Sequence, residues 1–101
     1  MALTITQKKE NNKLELFLTG KLTNSTAPQL FDVVAAIDDS ITNLVFDFNE
    51  LDYLSSAGIR VLMEAAKKMN GKGEMKILHP NDNIMEIFTI TNLVELFKIE
   101  Q

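Results

Sequence analysis

The chain has 101 residues, 46% of them apolar and 24% charged, which suffices for one hydrophobic core but not two and is too apolar for a disordered segment. A net charge of −4 with scattered basic residues argues against a nucleic-acid partner, and a chain without cysteine has no disulfides and no thiolate metal sites. No apolar run approaches the ~18 residues of a membrane span, and the N-terminal MALTITQKKE lacks an apolar signal segment, so a cytoplasmic protein without membrane insertion is expected.

Leu3 and Ile5 alternate with threonines, and Leu14, Leu16 and Leu18 alternate with Glu15, Phe17 and Thr19. The polar stretch between them centres on Asn11-Asn12, so an antiparallel hairpin is predicted. Phe17 breaks the polar side of the second strand, which suggests a covering helix and an interior strand. Gly20 is expected to end that strand. Thr23, Asn24, Ser25 and Thr26 then offer helix caps, with Thr26 and Gln29 at capping-box spacing and Pro28 acceptable in a first turn. Leu30, Val33, Val34 and Ile37 mark the buried stripe of a helix ending near Asp38 to Ser40.

Leu44 to Phe48 is apolar except for Asp47, which suits a strand buried on both faces. From Ile59 the period becomes helical. Ile59, Leu62, Met63, Ala66 and Met69 form one stripe, with Met63 and Met69 read as core filling, and Arg60, Glu64, Lys67 and Lys68 fall where they can pair along the helix. Ser55 and Ser56 lie at the junction. A serine there can cap the helix, or present a hydroxyl that accepts a phosphoryl group in a field tolerant of negative charge; one can cap while its neighbour is modified.

Asn70 to Gly73 stops this helix, with Gly71 a candidate for the left-handed position. Met75, Ile77 and Leu78 read as a short strand. Asn81 or Asp82 can cap a third helix whose Ile84, Ile87 and Phe88 face inward. Leu93, Leu96 and Phe97 suggest a last helical turn, and Ile99 closes the chain against the sheet. The order predicts one α/β domain over residues 1–101, a mixed sheet of four or five strands with helices packed on it and right-handed crossovers between its later strands.

Asp52-Tyr53-Leu54-Ser55-Ser56-Ala57-Gly58-Ile59-Arg60-Val61-Leu62 resembles the signature loop and helix of the STAS family, small domains that include bacterial anti-sigma factor antagonists. Gly20 to Leu30 is similar to that family's second recognisable segment. Aligned on Gly58, the resemblance puts Ser56 at the phosphoacceptor position and Ser55 where the family usually carries an acid, with Ser55 a possible second acceptor. Thr23 and Asn24 likewise stand where antagonists usually carry an acidic residue. The resemblance implies a STAS-like sandwich and a cytoplasmic regulator of transcription without catalytic activity or cofactor. It further implies binding to an anti-sigma factor that is also a serine kinase, release on phosphorylation of Ser56, and restoration by a serine phosphatase. The contacting residues would be Thr23, Asn24, Ser25, Tyr53, Leu54, Ser55, Ser56, Ala57, Gly58 and Arg60, in a monomer or weak dimer. An alternative of another class is a constitutive, non-switching subunit of a transport or sensory complex.

Rival chemistry is thin. His79 precedes Pro80 in a loop position with no nucleophile motif, and the serine turn lacks G-x-S-x-G. Asp47 and Asp52 flank a strand end where carboxylates can hold Mg²⁺, but no further ligand is evident, so turn or capping roles are expected and no metal site is assigned.

Overall fold

The computed structural model describes residues 2–101. Strands β1 (Leu3–Glu10) and β2 (Lys13–Leu22) form the antiparallel hairpin, turning at Asn11, whose φ of 56° is the left-handed conformation asparagine tolerates. Then follow α1 (Ala27–Ala35), β3 (Asn43–Leu54), α2 (Ser56–Met69), β4 (Glu74–Leu78), α3 (Asp82–Ile90), a 3₁₀ turn at Leu93–Glu95 and β5 (Lys98–Glu100). The five strands lie in sequence order, β2 to β5 all parallel. Ile99 pairs with Ile77 and so closes the chain onto the sheet as expected.

One face of the sheet carries the core. Leu14, Leu16 and Leu18 of β2, Leu44, Phe46 and Phe48 of β3, and Ile77 of β4 join a single buried cluster with Leu30 and Val34 of α1, Val61, Leu62 and Ala65 of α2, and Ile84 and Phe88 of α3. All three helices therefore pack on the same face. This corrects one expectation. Phe17 pairs with Asp47 on the opposite face, half-buried and outside the core, so β2 is interior without a helix over that side chain. Val45 is buried on that same face, between Glu15 and Lys76 in register, so at this point β3 is buried on both faces as expected.

The stripe of α2 is also turned from the expected phase. Val61 and Ala65 are buried, whereas Met63 is 45% exposed. Met69 does fill the core. Among the described residues no ion pair joins two side chains of α2. Instead the Lys68 ammonium donates to the carbonyls of Val34 and Ala35, both at 3.0 Å, satisfying the C-terminal end of α1 from its neighbour. Helix α1 stops at Ala35, short of the predicted end, and Ile37 is buried from the loop that follows.

Candidate functional site

Strands β2 and β3 outrun β4. After Asp47, opposite the last residue of β4, β3 continues beside β2 to Leu54 through two register shifts, one of them just after Gly20. Gly20 has a φ of 106°, and a side chain there would meet the Ala2 carbonyl oxygen at 2.3 Å, so it bends β2 rather than ending it as predicted. The loops after β2 and β3 therefore emerge side by side at the carboxyl edge of the parallel strands, where open α/β sheets gather their functional groups. The Ser55 N–H donates to the Leu22 carbonyl at 2.9 Å and ties the two loops together.

The two serines at the junction differ in their settings. Ser55 has extended backbone (φ −91°, ψ 170°), is only 9% exposed, and its Oγ accepts the Gly58 N–H at 3.2 Å. It is the cap of α2. Ser56 is the first helical residue, is exposed, and makes no side-chain hydrogen bond among the described residues. Replacing Ser55 by Ala is expected to lower unfolding free energy by about 1 kcal/mol in urea titration while leaving Ser56 in place.

Gly58 fixes the approach of α2 to the sheet. A Cβ there would lie 2.7 Å from Leu22 Cγ and 2.9 Å from Leu54 Cδ1, and both leucines are buried. Leu54 and Gly58 were expected among the contact residues. Their burial makes them supports that position the neighbouring serines.

The Thr23–Thr26 loop is closed on itself. Thr26 Oγ1 donates to the Lys21 carbonyl at 2.9 Å and accepts the Thr23 N–H at 2.8 Å, and Thr23 Oγ1 accepts the Ser25 N–H at 3.2 Å. The expected capping box does not form: Thr26 makes no side-chain cap to α1, and Gln29 reaches back to the Leu3 carbonyl at 3.0 Å. A loop already satisfied internally leaves Asn24 and Ser25 exposed at its tip. Tyr53, 48% exposed, stands on the adjoining strand end.

Between α1 and α2 an open depression of about 560 Å³ is walled by Ala27, Pro28, Phe31, Ala57 and Val61, with Asn24, Asp32, Arg60 and Glu64 also lining it. It brings the β2–α1 loop and the start of α2 onto one surface. Phe31, 47% exposed, went unassigned in the sequence, although an aromatic residue lying off the Leu30/Val34/Ile37 stripe was a usable signal. Asn81 was foreseen as a cap and does accept the Ile84 N–H at 2.8 Å. Its amide also donates to the Leu51 carbonyl at 3.2 Å, bracing the strand that leads to Ser55.

Among the described residues no three His, Asp or Glu side chains are grouped to hold a metal ion. Asp47 accepts the Asn49 N–H at 2.9 Å inside β3, where its pairing with β2 shifts register, rather than in the expected turn, and His79 is an exposed loop residue with a φ of 57°. The carboxylates held below their ordinary range are Asp38, by hydrogen bonds from Ser40, and Asp39, by Lys72; both follow the far end of α1. No described helix is long and apolar enough to cross a membrane.

Against known proteins, the STAS domain pattern matches residues 4–101. The chain is 29% identical over 99 residues to the protein named anti-sigma factor antagonist BtrV of Bordetella bronchiseptica, spanning 96% of this chain and 85% of that one. An anti-sigma factor antagonist from Mycobacterium paratuberculosis superimposes with a TM-score of 0.88 at 20% identity, over 98% of this chain and 86% of that one. The Bacillus cell fate determinant SpoIIAA in its phosphorylated form gives 0.75 at 14% identity, over 99% and 92%. At such identities the structural likenesses establish the fold.

Proposed function

This chain belongs to the STAS domain family, and from that premise we propose that it is a cytoplasmic partner-switching protein of the anti-sigma factor antagonist type. Unmodified, it binds an anti-sigma factor that is also a serine kinase and so frees a sigma factor. The kinase passes the γ-phosphoryl group of ATP to the Ser56 oxygen, the hydroxyl proton leaving to a base on the kinase and ADP departing. The phosphorylated domain is released, and a serine phosphatase hydrolyses the ester to restore the hydroxyl. The domain itself catalyses nothing in this cycle.

The observation that supports this reading is the contrast at the helix start: Ser55 is consumed as a buried cap, and Ser56 is exposed without a partner among the described residues. Asn24 and Ser25, on the loop tied to the helix start through Ser55 and Leu22, and Tyr53, at the end of β3, add exposed surface that a kinase can cover. Radiolabelled ATP and each serine kinase of this type from the source genome provide the test. Label is expected on the wild type and on Ser55→Ala but not on Ser56→Ala. Label retained by Ser56→Ala, or no label with any of these kinases, would overturn the assignment.

A second reading, the constitutive subunit, is favoured by one feature. By the resemblance, Ser55 stands where the family usually carries an acid and Thr23 and Asn24 where antagonists usually carry an acidic residue, and none of the three is charged here, which would leave this surface less acidic than that of a typical antagonist. It predicts a stable complex indifferent to position 56.

A further inference from the structure

Ser56 and Arg60 stand four residues apart on α2 and are both exposed. At that spacing side chains are neighbours on one helix face, with Cβ atoms roughly 5–6 Å apart. Arg60 is the single arginine of the chain; the other nine basic residues are lysines. Its side chain lines the α1–α2 depression together with Asn24 and Ala57, the residue following Ser56. The charged groups facing it there are Asp32 of α1 and Glu64 of α2, and neither pairs with it within 4.0 Å. The guanidinium is thus uncommitted among the described residues and within a side chain's reach of the Ser56 hydroxyl.

We infer that Arg60 is the internal counter-ion of phosphoserine at position 56. The inference rests on the reading of Ser56 as phosphoacceptor and adds what becomes of the phosphate. A planar guanidinium presents paired N–H donors that match two phosphate oxygens, a geometry that lysine does not supply. Phosphorylation then alters the docking surface twice. It adds about −1.5 to −2 charges beside Tyr53 and Ala57, and it withdraws the one guanidinium of that surface from any partner. The phosphate lies against the flank of α2 instead of projecting into solvent, so the fold keeps its shape while the surface changes.

The test uses the full chain with phosphoserine incorporated at position 56 during translation, so no kinase is involved. Phosphorus NMR follows the second ionisation of the phosphate in the wild type, Arg60→Gln, Arg60→Lys and Lys67→Gln. The last makes the same charge change farther along the same helix. The wild type is expected to titrate about 0.4 unit below Arg60→Gln, the size typical of an exposed helical ion pair, with Arg60→Lys between them and Lys67→Gln matching the wild type. Whatever the helix start contributes is common to all four proteins and cancels. If Arg60→Gln titrates with the wild type, or Lys67→Gln shifts as far as Arg60→Gln, the clamp is wrong and the switch is untouched. Conversely, lack of phosphate on Ser56 in cells would remove the switch without altering this titration.

Discussion

Replacing Gly73 by Ala is expected to lower the unfolding free energy by about 3 kcal/mol, the upper end of ordinary overpacking. A Cβ at Gly73 would lie 1.9 Å from the Thr42 carbonyl oxygen and 2.6 Å from its carbon. That oxygen accepts the Glu74 N–H at 2.9 Å, just where β4 begins to pair with β3 at Asn43 and Glu74. The obstacle is backbone, so relief requires the turn to back away from the sheet, with loss of that hydrogen bond. Gly71 supplies the control. Its φ is +82°, but nothing lies within 4 Å of a Cβ there, so Gly71→Ala should cost only the left-handed penalty of about 1 kcal/mol. Urea unfolding of both variants at a common m-value reads the difference. Equal losses would show that backbone conformation, not space, governs this turn.

Ser56→Asp is expected to weaken the complex with the partner kinase by a hundredfold or more, and Ser56→Ala to leave it within a few-fold of the wild type. A hundredfold loss needs about 2.7 kcal/mol. One carboxylate placed in an interface fitted to a neutral hydroxyl supplies that through desolvation and repulsion. Folding should be nearly untouched, because Ser56 is exposed at the first position of α2, where a negative charge is favourable. Calorimetric titration measures the affinities, and thermal unfolding confirms that both variants fold. Equal binding by the two would favour the constitutive subunit.

Period and punctuation made much of this protein legible. Alternation around Asn11-Asn12 located the hairpin, and the helical spacing after Ile59 located α2. Asn81 announced the start of α3, since it serves as that helix's cap. What could not be read depends on neighbours distant in the chain. Thr26 and Gln29 have capping-box spacing, yet the Lys21 and Leu3 carbonyls take their donors. The phase of α2 is set by Gly58 against Leu22 and Leu54, which buries Val61 and Ala65 and leaves Met63 outside. Gly20 looked like a terminator because a strand was assumed regular, whereas a bulge carries β2 on to Leu22 and brings Thr23 beside Ser55. At the candidate site the two serines were indistinguishable by residue type. Their separation into a buried cap and an exposed hydroxyl follows from where β3 ends.

Reversible phosphorylation at Ser56 is the centre of this account, and the most direct measurement is intact mass with fragment sequencing of the protein recovered from its own cells under growth, starvation and stress. A single phosphate confined to Ser56, with an occupancy that changes among the conditions, is the predicted result. An unmodified chain under all three, or phosphate on Ser55 instead, would contradict it.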